Sequence, residues 1–179
     1  MQYTDTLIRE YMSDTAFQSA FRRYCGEMGI RVTNWHGLFA AMGETGREFT
    51  WTQRDGAGQV LSFAAGMNVS DRDCTWTRRN ETGEVAGFIQ FTAMDMTGWF
   101  FRARCGFIRE FWIDPALRRQ GHGTQLLRMA EEHLAAQGCA YILLTTDSAP
   151  DFYRRHGYTR QKGIAARNEA DVFVKALEQ

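Results

Sequence analysis

The sequence has no net charge, since Lys plus Arg and Asp plus Glu each number 21. No overall field therefore steers it toward nucleic acid or an anionic membrane, and neither partner is expected. No apolar run approaches the roughly 18 residues a membrane helix needs. The opening MQYTDTLIRE also departs from the basic-then-apolar order of a signal peptide, so a cytoplasmic protein is expected. Cys25, Cys74, Cys105 and Cys139 form no CxxC pair, which fits neither a zinc site nor a disulfide-dense scaffold. They read as reduced, buried thiols, and no metal is expected. Repeats, linkers and low-complexity tracts are missing too. What remains is a chain of 179 residues, 44% hydrophobic and 13% aromatic, long enough to bury most of its unfolded surface as one domain over 1–179.

The pattern along the chain is mixed α+β. Leu7, Ile8, Tyr11 and Met12 suit either an edge strand or a helical turn, and a strand is expected within Tyr3 to Met12. Phe17, Ala20, Phe21, Tyr24 and Met28 recur at helical spacing after Ser13 or Asp14, either of which can cap the start. A shorter helix is expected over Trp35 to Met42. Residues 43–73 contain turn signals such as Asp55-Gly56 without a clear period, and no element is assigned there. Cys74 to Arg79 and Glu84 to Phe91 flank Asn80 to Gly83 as a hairpin. Trp99 to Phe101 and Phe107 to Ile113 are aromatic and β-branched enough for strands, the second ending at Asp114-Pro115. Leu126, Leu127, Ala130 and Leu134 then make one helical stripe that stops at Gly138. A strand over Ala140 to Thr145, a short helix over Ala149 to Arg155 and a last strand over Asp171 to Leu177 complete the order.

Chemistry concentrates between the strand ending at Ile113 and the helix beginning near Gly123. The connection Asp114-Pro115-Ala116-Leu117-Arg118-Arg119-Gln120-Gly121-His122-Gly123-Thr124 leads a strand through two glycines into a helix N-terminus. Free backbone N–H groups and the positive end of the helix dipole favour a phosphate there, and glycine lets the backbone approach it closely. Arg118 and Arg119 add charge. The loop has no Gly-Lys-Ser/Thr ending, and the third glycine of a GxGxxG loop would fall at Leu126, so P-loop and Rossmann assignments both fail.

Arg118-x-x-Gly121-x-Gly123 resembles the Q/R-x-x-G-x-G/A pyrophosphate loop of the GNAT family of N-acetyltransferases, and Phe111 to Pro115 resembles the strand before it. Phe152-Tyr153-Arg154-Arg155-His156-Gly157-Tyr158 is similar to the family's second motif, a helix carrying tyrosine followed by glycine and an aromatic residue. The resemblance covers about Thr82 to Tyr158. Ala149 matches the pattern, whereas Thr146 stands where many members have asparagine. The resemblance implies a mostly antiparallel mixed sheet with splayed central strands flanked by helices, and acetyl-CoA as cosubstrate. It also implies that main-chain groups of Trp112 and Ile113 hold the pantetheine arm, and that Gln120, Gly121, His122, Gly123 and Thr124 cradle the pyrophosphate.

The implied reaction is direct attack of a neutral amine on the thioester, without an enzyme nucleophile. An alkyl ammonium must first lose a proton, and the thiolate leaving group gains from a donor. Tyr153 is the candidate donor, since a phenol with a pKa of about 10 is protonated at neutral pH. Glu110, two residues before Trp112, is the candidate base or amine anchor. A core tyrosine and an exposed sheet carboxylate are the plain alternatives. His36, His133 and His156 read as solvated or structural. The acceptor is expected to be an amine on a small molecule or peptide, entering past Arg31, Asn34, Trp35 and His36, which form no acidic cluster of the kind a polyamine favours. A homodimer is compatible with the sequence. A transferase using another acyl-CoA and a CoA-binding module without turnover are the competing readings.

Overall fold

The computed structural model describes residues 2–44, 49–54, 60–65, 74–95 and 103–177. The chain opens with β1 (Thr4–Ile8), α1 (Thr15–Glu27) and α2 (Trp35–Met42). A hairpin of β2 (Phe49–Arg54) and β3 (Val60–Ala65) follows, then β4 (Cys74–Arg79), β5 (Val85–Asp95) and β6 (Arg104–Ile113). One 3₁₀ turn (Pro115–Leu117) leads into α3 (His122–Ala136), β7 (Tyr141–Thr146), α4 (Pro150–Arg155), β8 (Thr159–Arg160) and β9 (Asp171–Ala176).

Local chemistry sets these boundaries. Asp14, rather than Ser13, caps α1 by accepting the Phe17 N–H at 2.9 Å. Asn34 caps α2 through the Gly37 N–H at 2.8 Å. The expected strand near the start is present but ends at Ile8, leaving Tyr11 to turn inward and bond the Thr75 hydroxyl at 2.9 Å. Strands β5 and β6 run longer than their apolar patterns, because the ladder continues to Asp95 opposite Arg104. Backbone pairing between β2 and β3 lies within the stretch left unassigned. Two-residue β8, paired with β9, is too short to leave a sequence pattern. The expected strand over Trp99 to Phe101 lies outside the described residues.

Seven strands form one sheet in the order β1-β4-β5-β6-β7-β9-β8, and β2 and β3 pair separately. Within the large sheet only β6 and β7 are parallel. Their ladder has just three pairs, Cys105↔Tyr141, Gly106↔Ile142 and Phe107↔Leu143. Beyond Phe107, β6 runs on to Ile113 with no pairing to β7, while β7 continues against β9. The two strands therefore splay. A bulge places Arg109 as an extra residue between the pairs Gln90↔Glu110 and Phe91↔Ile108, which re-aims the strand just where the gap opens.

Two cores cover the two faces, as the layering of amphipathic elements requires. One joins Leu126, Leu127, Ala130 and Leu134 of α3 and Tyr153 of α4 to Ile89, Phe91, Ile108 and Ile142. The other packs Phe17, Phe21 and Tyr24 of α1 and Phe39 and Met42 of α2 against Phe88 and Trp112. All four cysteines are free and buried. Among the described residues no helix is long and apolar enough to cross a membrane, and no group of three His, Cys, Asp or Glu side chains is placed to hold a metal.

The close seating of α3 on the sheet depends on Gly106. A Cβ there would lie 2.6 Å from Leu134 Cδ1 and 3.1 Å from Ile142 Cγ1, both in the core. Gly106→Val overpacks this contact and is expected to lower unfolding free energy by about 1–3 kcal/mol, read from urea denaturation; an unchanged midpoint would mean that the helix seats without this close approach.

Candidate active site

The site is assembled where β6 parts from β7. Asp114 follows β6, donates its N–H to Ala86 O at 3.0 Å and accepts the Ala116 N–H at 3.0 Å, which starts the 3₁₀ turn. The chain then reverses through Arg119 at φ +61° and Gly121 at φ +88°. A Cβ at Gly121 would meet nothing within 4 Å, so the left-handed backbone, not crowding, calls for glycine there. Gly121 is the N-cap of α3 and no side chain caps the helix, leaving the first-turn N–H groups and the dipole available to an anion. Beside them lies a cleft of about 310 Å³ lined by Gly121, Thr124, Gln125 and Arg128, one face of α3.

The expected loop residues divide by what they touch. The guanidinium of Arg118 donates from Nε to Ile113 O at 3.0 Å and pairs with Glu27 of α1, so its charge is engaged within the chain. Glu27 also accepts the Trp112 Nε1–H at 2.9 Å. Those two hydrogen bonds, that of Trp112 first, hold the Glu27 carboxyl below its ordinary range. Gln120 Nε2 reaches back to Ala116 O at 2.9 Å, and Arg119 is exposed. His122 is turned toward β4, where its Nδ1 lies 3.1 Å from Arg78 Nη1. A Cβ on Gly123 would sit 3.6 Å from the Phe152 ring. Thr124 Oγ1 lies 2.9 Å from His156 Nε2, tying the start of α3 to the end of α4. Thr146 accepts the Ala149 N–H on its hydroxyl at 3.1 Å and so shapes the turn into α4.

On the other side of β6, α1 meets the strand. The Tyr24 hydroxyl of α1 donates to Glu110 Oε2. Burial and the nearby Glu110 charge both push the Tyr24 phenol above its usual range. Tyr153 of α4 is 6% exposed, and burial first, then the Glu110 charge, raises its phenol as well. The same two causes push the buried Cys25 thiol up to about 12. Glu110 and Tyr153 thus share one neighbourhood, with Tyr153 protonated at neutral pH. At the start of α2, Trp35 stacks on Phe39 at 5.7 Å and Arg22 lies 5.0 Å above the Trp35 ring.

The sequence singles out Glu110, Tyr153 and the loop as candidates, but not Tyr24 or Glu27, which the structure places against Glu110, Trp112 and Arg118. Both lie on the helix α1, three residues apart and on one face. Tyr24 was visible only as part of the apolar stripe, and Glu27 as one carboxylate among many; nothing local marks either for a partner more than eighty residues away.

A comparison with curated protein sequences returns no match. Solved structures of the same fold are numerous. An acetyltransferase of the GNAT family from Staphylococcus aureus is 14% identical and aligns over 98% of this chain and 100% of its own, with a TM-score of 0.64. A putative acetyl transferase from Pyrococcus furiosus is 18% identical over 93% and 99%, with a TM-score of 0.60. The N-acetylglutamate synthase of Neisseria gonorrhoeae, solved with coenzyme A and N-acetyl-glutamate, is 12% identical over 100% of this chain and 36% of its own, with a TM-score of 0.63. Residues 40–158 match the acetyltransferase (GNAT) family, a span that includes the divergent strands, the glycine loop and the tyrosine helix, and the chain therefore belongs to that family of acyltransferases.

Proposed function

We propose that this protein transfers the acetyl group of acetyl-CoA to the amine of a small molecule or peptide by direct attack on the thioester. The carrying observation is the three-pair ladder between β6 and β7, which leaves a gap flanked by an uncapped helix N-terminus on one side and the Tyr24–Glu110 pair on the other. The fold shared with a structure holding coenzyme A supports the same reading.

In this mechanism the pyrophosphate lies on the first turn of α3 and the pantetheine arm runs along the main chain of Trp112 and Ile113. Glu110 takes the proton that the attacking nitrogen sheds. The amine lone pair forms the N–C bond, and the carbonyl electrons move to oxygen, where N–H groups of β6 facing the gap stabilise the oxyanion. Collapse breaks the C–S bond, and Tyr153 gives its proton to the thiolate. A phenol raised by burial suits this step, since it stays protonated throughout the neutral range.

Three substitutions test the assignment. Gly123→Val places two methyl groups against Phe152 and the path of the phosphates, and is expected to weaken acetyl-CoA binding in calorimetry with the fold retained; unchanged affinity would remove the loop from the site. Tyr153→Phe is expected to lower turnover about a hundredfold with acetyl-CoA affinity unchanged. Because the phenol is raised, the wild-type rate is expected not to fall at the pH of about 10 where a free tyrosine ionises, and a basic limb at or below that pH would point to another donor. Glu110→Gln is expected to depress turnover and abolish or displace the acidic limb of the pH–rate profile while acetyl-CoA affinity holds. A panel of amines assayed by thiol release supplies the acceptor for these profiles, and a rate and pH profile like those of the wild type would exclude Glu110 from proton transfer.

A further inference from the structure

The residue between the two loop glycines is held from the far edge of the sheet. Arg78 of β4 is 3% exposed and stands directly opposite Asp5 of β1 in the ladder. Its Nε donates to Asp5 Oδ1 at 2.8 Å and its Nη2 to Asp5 Oδ2 at 2.5 Å, the two-pronged pairing that a planar guanidinium makes with a carboxylate. The remaining terminal nitrogen, Nη1, lies 3.1 Å from His122 Nδ1. Arginine has no acceptor, so Nη1 donates and Nδ1 accepts, which leaves the ring proton on Nε2 and the imidazole neutral. Tyr3 packs its ring edge against the same imidazole, with centroids 4.8 Å apart. Burial, and then the Arg78 charge, hold His122 below the ordinary histidine range, which keeps the ring neutral at neutral pH.

His122 is the first residue of α3. No side chain caps that helix, and Gly121 before it has the left-handed backbone, so its start has no local brace of its own. Arg78 supplies one from another strand. A guanidinium already matched by Asp5 has its charge satisfied, and what the third nitrogen adds is direction: it fixes where the first turn of α3 points. We propose that Arg78 is a positioning residue for the acyl-CoA site, holding His122, and through it the first turn of α3, in the geometry that receives the CoA pyrophosphate. This rests on the acyl-CoA reading above and extends the site across the sheet to β1 and β4, which do not border the gap between β6 and β7.

Titration calorimetry with CoA and with pantetheine, which has no pyrophosphate, tests this without an acceptor. His122→Leu leaves the Arg78–Asp5 pair intact and is expected to weaken CoA binding about tenfold, with pantetheine within about twofold of the wild type. His122→Asn restores an acceptor for Nη1 and is expected to recover most of the loss. Arg78→Met is expected to match His122→Leu, and the double variant to be no weaker than either, since both break one link. Wild-type CoA affinity in folded His122→Leu, equal losses for CoA and pantetheine, or fully additive losses would each overturn the proposal. Should Arg78→Met fail to fold, the contrast between His122→Leu and His122→Asn decides alone. Failure of the wild type to bind CoA would defeat the acyl-CoA reading itself, and this inference with it.

Discussion

Everything at the site follows from the early end of one parallel ladder. A β-strand inside a sheet has its backbone groups saturated on both sides, and such a strand has nothing left to offer a ligand. Strand β6 escapes this because its pairing with β7 stops after Phe107↔Leu143. Beside the parting, Phe152 of α4 meets Phe111 of β6 at 5.8 Å and His156 at 4.5 Å, and a Cβ at position 123 would touch its ring at 3.6 Å. Interiors packed this tightly transmit shape. The same ring therefore contacts both β6 and the start of α3.

Helix α1 makes the second connection, between Glu110 and the end of β6. One of its faces carries Tyr24 to the Glu110 carboxylate and Glu27 to Trp112 and Arg118. The Arg118–Glu27 pair is 43% and 35% exposed on its two sides, and a pair in that setting contributes about 0–1 kcal/mol at most. Its consequence is geometric. The end of β6, through Trp112 and Arg118, and the Glu110 carboxylate are fastened to one helix. Arg78 does the corresponding work from the opposite edge, and the loop is thereby tied at its entry through Arg118 and at its exit through His122.

Much of this architecture could be read from the chain alone, for reasons that are local. Helical stripes at Phe17 to Tyr24 and Leu126 to Leu134 report burial directly, and the two-residue alternation of β4 and the turn at Asn80 to Gly83 report the hairpin. The glycine-bearing turn was legible because a left-handed backbone admits few residue types, and the tyrosine helix because its motif is short and contiguous. Residues 43–73 were not legible: their period is weak, and the β2–β3 pairing that organises part of them is a relation between two segments, not a property of either.

By itself the sequence determined most of the helices and strands and marked the glycine loop, Glu110 and Tyr153 as candidates. Only the tertiary structure decided the partners. It paired Arg118 with Glu27, set His122 against Arg78, and brought Tyr24 to Glu110 across 86 residues of chain. The physical reason is range. Helix and strand preferences are set by neighbours a few residues apart, whereas a hydrogen bond between distant side chains depends on the register of the strands between them, and a shift of one residue would turn Arg78 or Glu110 to the opposite face of the sheet.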